Sequence, residues 1–394
     1  MSGSLNSIYN NVSYALHLHS IEMARLQEQT TTGSRINRPS DDPSSAYRVL
    51  TLNSQGKSLE NYINNLSDMI STLELSSTAV QDIESALTNT KVRLTQIISG
   101  TYPEQTRKNT AEGINDILEQ LVALANTKNM GQYLFGGNNT TSAPYLVERT
   151  NGEITAVTYQ GDFETRQVEV APGVKSSAFC VGYDIFGSND RSDPVFLGGT
   201  GAKAGTGTSN IQGDTWLTVS GTPGNYTLSI DDGLSTFNTD GTDTNLVVTD
   251  SRTGKVLYVD TTEINSTGSA LVSVPGTHDI FNTLISIRDI LKNDRGLSDA
   301  QMRELQENSL NALDEVNELL VRAEVSIGSK TGFLDNLKES LNKLQYDAED
   351  EATLLQEADI AQIAVDLSRR EVLYQMSLSV AGKLMSVSLL DFLG

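Results

Sequence analysis

The chain has 394 residues, a formal net charge of −22, three histidines and one cysteine. That length allows two or three domains, while the charge repels phosphate backbones and anionic headgroups and so sets nucleic acid and membranes aside as partners. Cys180 alone excludes an internal disulfide and a cysteine-rich zinc site, and no apolar stretch reaches the roughly 18 residues that a membrane span needs.

The first element is a helix. Leu5, Tyr9, Val12, Leu16, His19, Met23 and Leu26 are spaced alternately by four and three residues, which lines them along one side of an α-helix. His19 sits on this stripe and reads as a helix residue at a packed or partner-facing edge rather than as a metal ligand. Asn6, Ser7, Asn10, Asn11 and Ser13 interrupt the apolar residues, so a cleaved signal peptide is not expected. Turn chemistry at Gly33, Asn37, Pro39, Asp41, Asp42 and Pro43 then ends this helix and caps the next.

The following seam organises the chain. Leu59, Tyr62, Leu66, Met69, Leu73, Ser76, Val80, Ile83, Leu87, Thr90, Leu94 and Ile97 keep the same heptad spacing, and no proline interrupts residues 44–102. A helix of up to about 55 residues, roughly 80 Å long, is therefore allowed, and its stripe can be buried only against other helices. Ser99-Gly100-Thr101-Tyr102-Pro103 marks a turn, after which Ala111, Ile114, Leu118, Leu121 and Ala125 predict a third helix folding back antiparallel.

From Gly131 the texture changes. Residues 131–276 hold 21 of the 31 glycines and five of the eight prolines, with short alternating runs such as Glu153–Tyr159, Gln167–Val170, Trp216–Val219 and Lys255–Val259 between turns. This predicts an inserted antiparallel β domain, with a glycine-rich joint near residues 194–207. The run Gly198–Gly205 opens no patterned helix and reads as a flexible linker rather than a phosphate cradle. The acidic loops at Asp231-Asp232 and Asp240–Asp243 lack the order of an EF-hand. No Gly-Lys-Ser/Thr, Gly-x-Ser-x-Gly or His-Glu-x-x-His sequence is present, so no cofactor, metal or catalytic residue is assigned and no enzyme is expected.

Helical periodicity resumes at Asp279. Ser298 and Gln301 make a capping box. A seam follows through Leu313, Val316, Leu320, Ala323 and Ile327 and then Leu334, Leu337, Leu341, Leu344 and Ala348, with Gly328 and Gly332 expected at a close helix contact. A final helix carries Ile360, Ile363, Leu367, Tyr374, Leu378, Ala381, Met385 and Phe392 at heptad offsets. The fold expected is α+β. Both chain ends build a long antiparallel helical coiled-coil rod (41–137 with 279–349), and residues 138–278 are inserted as the outer β domain. Residues 1–40 and 350–394 form terminal helices whose single stripes would order on meeting copies of the chain or a partner.

Thr32-Gly33-Ser34-Arg35-Ile36-Asn37, followed by Asp41-Asp42-Pro43, resembles the N-terminal signature of bacterial flagellins and their relatives. Arg322-Ala323-Glu324 with Ile327-Gly328 is similar to the family's central helix, and Glu357–Ala361 to the start of its terminal helix. Within that family, Gln132–Gly137, Pro144-Tyr145, Tyr159–Asp162 and the closing Ser388–Leu393 are similar to the hook-filament junction branch.

The resemblance implies a structural protein of the bacterial flagellum, one ring between the hook-side junction protein and the flagellin filament, with a filament flagellin as the alternative. A secreted adhesin or an enzyme on a coiled-coil stalk is the alternative of another class. It further implies an extracellular protein exported through the flagellar type III channel without a cleaved signal peptide. An export chaperone would hold the C-terminal helix, and the partners would be further copies of the chain, the hook-side junction protein and flagellin. The stripes from Leu5 to Leu26 and from Ile360 to Phe392 would then be the assembly surfaces, and Gly33, Ser34, Arg35, Ile36, Asn37, Asp41 and Asp42 the family signature.

Overall fold

The computed structural model describes residues 2–100 and 102–393; within the helices, the side chains of residues 2–6, 8, 9 and 384–393 lie outside that description. Helices α1 (Ser2–Thr32), α2 (Pro43–Ser99) and α3 (Glu104–Ala125) come first. The hairpins β1 (Lys128–Asn129) with β2 (Gln132–Tyr133), β3 (Tyr145–Thr150) with β4 (Glu153–Tyr159) and β5 (Val168–Ala171) with β6 (Val174–Ser176) precede the short α4 (Gly182–Phe186). Eight strands follow: β7 (Val195–Leu197), β8 (Lys203–Ala204), β9 (Gly213–Thr222), β10 (Asn225–Ser229), β11 (Phe237–Thr239), β12 (Leu246–Thr249), β13 (Val256–Asp260) and β14 (Gly268–Val274). Helices α5 (Ile280–Lys292), α6 (Asp299–Gln356) and α7 (Ile360–Leu393) close the chain. The fold is α+β, as the sequence predicts.

Two compact units emerge, one of Met1–Asn64 with Leu337–Gly394 and one of Asn65–Asn336. In the second unit the long seam is buried as its spacing requires. Leu66, Leu73, Val80, Ile83 and Leu94 are fully enclosed, and so are Ser76 and Thr90, the two polar members. Each of those hydroxyls donates to the carbonyl four residues earlier, Ser76 to Thr72 O at 2.9 Å and Thr90 to Ala86 O at 3.0 Å. That removes the cost of burying an unpaired hydroxyl. Ion pairing of Lys91 with Asp314 and a hydrogen bond from Gln81 to Glu324 set α2 and α6 antiparallel, since the paired numbers fall on one helix as they rise on the other. The predicted stripe of α3 is buried throughout, and the Ser298–Gln301 box caps α6, with Ser298 N–H donating to Gln301 Oε1 at 3.0 Å.

The β insertion is antiparallel throughout its described pairings. A sheet of order β11-β10-β9-β14-β7 faces a second of order β12-β13-β8. Leu217, Val219, Leu228, Val272 and Val274 from the first sheet meet Val248, Leu257 and Val259 from the second. Alternation along β14 explains how this sandwich joins the helices. Val272 and Val274 point into the sandwich, whereas Leu271, one residue out of phase, packs with Ile290 of α5 and Leu305 of α6. One expectation fails here. The glycine run at 198–205 is not a flexible linker: Ala202 lies in the sandwich core, and Lys203 and Ala204 pair with Asp260 and Val259. Glycine there serves close approach, because a Cβ on Gly201 would stand 2.1 Å from the carbonyl oxygen of Glu263. Nor does a close contact within the chain explain Gly328 and Gly332, since a Cβ at either position would meet nothing within 4 Å.

Candidate assembly site at the chain ends

In the first unit the signature residues form a clasp. Gly33 ends α1 in the left-handed region at φ 69°, where its N–H donates to Gln29 O at 2.9 Å. Its carbonyl then accepts from Ala358 N–H at 3.0 Å, and Arg35 N–H donates to Gln356 O at 2.6 Å, so that Ser34 and Glu357 form an antiparallel bridge. The Arg35 guanidinium adds a hydrogen bond to Leu355 O at 3.1 Å and an ion pair with Asp42 at 3.2 Å. Gln29, buried, donates to Arg35 O at 2.7 Å, and Asn37 donates to Ser34 O at 3.2 Å. Asp41 Oδ2 accepts from the N–H groups of Asn37 and Arg38. The two motifs, 32–43 and 357–361, lie near opposite ends of the sequence and thus meet backbone to backbone.

Asp42 caps α2 ahead of Pro43. Hydrogen bonds from Ser45, then from Ser44 and Arg35, hold its carboxyl well below the usual carboxylate range. Beyond the clasp, α1 and α7 run antiparallel. Leu26 packs with Ala358 and Ile363, Leu367 lies against them, and Arg370 Nη1 stands 3.3 Å from His19 Nδ1. His19 is therefore a helix-pairing residue.

The predicted assembly residues divide. Leu26 and Ile363 are buried against each other, while Val12, Leu16, Met23, Leu367, Tyr374 and Ala381 are half-buried. Ile360 and Leu378 are exposed. Leu5, Tyr9, Met385 and Phe392 lie outside the described side chains. A second apolar stripe was missed. Val365, Val372, Met376 and Val380 are spaced by seven, four and four residues on α7 and are 62%, 48%, 60% and 49% exposed; Tyr14, Leu18 and Ile21 are exposed on α1. Reading one stripe per helix hides a second one, although the spacing of these residues was visible.

The second unit holds a buried charged network that sequence reasoning did not find. His278 follows β14, and its Nδ1 donates to Glu315 Oε2 of α6 at 2.9 Å. Nε2 faces Ser273 Oγ at 3.2 Å and Asp214 Oδ1 of β9 at 3.3 Å, and Ser286 of α5 donates to the other Asp214 oxygen at 2.8 Å. Backbone N–H groups of Gly276 and His278 also donate to Glu315. Burial opposes a charge on the imidazole, but hydrogen bonds and attraction from Asp214 and Glu315 prevail and raise its pKa to about 9. Ser273, His278 and Glu315 have the order of a hydrolytic triad, yet Ser273 is 1% exposed and the ring already carries both protons. A ring whose raised pKa favours the charged form near neutral pH is poorly suited to act as a base, and the hydroxyl beside it is enclosed. The network instead ties the sandwich to α5 and α6. Among the described residues, no group of three His, Cys, Asp or Glu side chains is arranged to hold a metal ion, and no helix is long and apolar enough to cross a membrane.

Residues 4–140 match the bacterial flagellin N-terminal helical region. The first third of the chain is flagellin-like. Flagellar hook-associated protein 3 of Escherichia coli (strain K12) is 28% identical over 129 residues, 32% of this chain and 41% of that protein, so the match spans about two fifths of that relative. The crystal structure of flagellar hook-associated protein 3 (HAP-3) from Legionella pneumophila has a TM-score of 0.53 at 16% identity, covering 78% of this chain and 98% of that one. The flagellar junction protein FlgL from the same species gives 0.51 at 16% identity, over 79% and 100%. The structural likenesses speak to the fold. The flagellin-like region and the identity to flagellar hook-associated protein 3 uphold the resemblance to the flagellin and hook-filament junction family.

Proposed function

We propose that the chain is a structural subunit of the bacterial flagellum that forms the junction ring between the hook-side junction protein and the flagellin filament. The observation that carries this reading is the signature clasp, which fixes α1 and α7 side by side while leaving a second apolar stripe on α7 open. Further copies of the chain would cover that stripe through head-to-tail contacts, as terminal helices packing into an inner tubular layer. Before assembly an export chaperone would cover the same helix. The terminal helices, 1–40 and 350–394, are the assembly layer in this reading, and the sandwich is the outward part. In this reading the protein works by packing, outside the cell and with no catalytic step. Deleting the chain from its own bacterium should leave intact hooks that shed flagellin instead of anchoring it. Filaments still attached to hooks in that strain would end the proposal. A filament flagellin is the alternative, because the region matched at 4–140 is named for flagellins. Copy number separates the two: a junction subunit is present in a few copies per flagellum, whereas a flagellin makes up most of its mass.

A further inference from the structure

Residues 177–186 pass over α6 in the second unit. Cys180 is held by backbone pairing, its N–H donating to Leu134 O and its carbonyl accepting from Gly137 N–H, both at 3.0 Å. Between this segment and the helices lies a cavity of about 360 Å³, lined by Phe179, Ile185, Leu319 and Ile327. Cys180 and Lys330 also line it, with the exposed Asp184 and Arg322 at its edge. Arg322 already pairs with Glu318 at 3.2 Å. Lys330 is different. It is partly buried, and no hydrogen bond or ion pair joins its ammonium to a described residue. Burial lowers its pKa, and the group that acts on it electrostatically is Cys180. That thiol is itself pushed up by burial, so at neutral pH it is uncharged and supplies no counter-ion.

A partly buried ammonium that no ion pair satisfies, lining a largely apolar cavity, is stabilised by an occupant that brings a negative charge. The volume falls at the lower end of the range for small-molecule sites, about 300–1,000 Å³. We propose that this cavity binds a small amphipathic anion, an aliphatic or aromatic body with one carboxylate that pairs with Lys330 while the body lies between Phe179, Leu319 and Ile327. The site is independent of the assembly surface and of the junction reading.

Cys180, the sole cysteine of the chain, reports on occupancy. Iodoacetamide alkylation of the full-length monomer would be followed by mass spectrometry with octanoate as probe. At about ten times its dissociation constant octanoate should slow alkylation about tenfold, because only the empty fraction reacts. Octanol, of matching length without the charge, should protect far less. Lys330→Met should lose the octanoate protection without a lower melting temperature, since it removes an uncompensated charge. Equal protection by octanol, or octanoate protection that survives Lys330→Met, would overturn the proposal. Should Cys180 resist alkylation in the free chain, saturation-transfer NMR on octanoate decides instead. No transfer from the native chain, or the same transfer from Lys330→Met, also overturns it.

Discussion

The seam of α2 between Leu66 and Ile97 and the paired helices α1 and α7 follow the same heptad rule, yet they end in different states. Along the seam every predicted position is enclosed, down to the hydroxyls of Ser76 and Thr90. On α7, Ile363 is enclosed while Ile360 and Leu378, at offsets of the same stripe, are about half exposed. The difference lies in how many neighbours each helix has. The seam meets α6 and has α3 and the β insertion within its own unit. In the first unit α7 has α1 as its described partner, and two helices cannot enclose two stripes. Heptad spacing thus identifies a surface that packs, but the supply of partners decides whether it packs within one chain.

This comparison can be broken at its strongest point. Leu73→Asp places a carboxylate at a position with no exposure, and it should cost more than about 4 kcal/mol. Loss of the cooperative thermal transition of the helical core is the expected outcome. A transition within a few degrees of the native one would mean that the seam is not the core of its unit.

The next effect comes from His278. Its pKa is raised from 6.5 to about 9 in the fold, so its contribution to stability is complete below pH 6.5 and is lost as pH rises through about 9. The carboxyl of Glu315 is lowered, chiefly by its hydrogen bonds with His278 and Gly276 against the opposing effect of burial, and its share is lost instead as pH falls below 4.5 toward its folded value. Chemical denaturation at pH 6 and pH 9.5 should differ by about 3 kcal/mol on account of the imidazole. His278→Gln should lower stability at pH 6 by about 3 kcal/mol, because Asp214 and Glu315 lose their buried counter-charge, and should flatten the alkaline slope. A variant that keeps the native slope would place the titration elsewhere.

Much of this second unit was legible in the sequence, and the reasons are local. Heptad spacing marks α2 and α3, Ser298 and Gln301 mark the start of α6, and the alternation of Glu153–Tyr159 marks β4 to the residue. The His278 network was not legible, because Asp214 and Glu315 lie 64 and 37 residues away and only the pairing of β9 with β14 and the course of α6 bring them together. The clasp was half legible. Both motifs stand out as residues, and Gly33 and Arg35 carry marks of their roles, but the bridge between Ser34 and Glu357 runs between backbone groups, which leave no mark on side-chain identity.

A smaller effect tests the clasp. Gly33→Ala puts a Cβ where nothing stands within 4 Å, so its cost is that of an L-residue at φ 69°, about 1 kcal/mol. Hydrogen exchange should rise for the Ala358 amide, whose acceptor is Gly33 O, while amides in Leu66–Leu94 keep their protection. Unchanged exchange at Ala358 would show that the bridge to Glu357 forms without the left-handed turn.

The smallest effect on folding should come from Leu378→Asp, and it carries the largest consequence for assembly. Leu378 is 47% exposed in the single chain, so a carboxylate there is solvated and should change the stability of the core by less than about 0.5 kcal/mol. In an assembly the stripe would be covered, and a charge in a closed helical seam costs several kcal/mol unless it meets a partner. Leu378→Asp in the native bacterium should therefore leave hooks without attached filaments, although the purified monomer melts as the native chain does. Met376→Asp, on the neighbouring stripe and 60% exposed, should behave alike if copies surround α7, and should be silent if they meet only the face it shares with α1. Attached filaments together with a core melting temperature lowered as far as by Leu73→Asp would reverse the comparison, making the chain ends part of the monomer's own core.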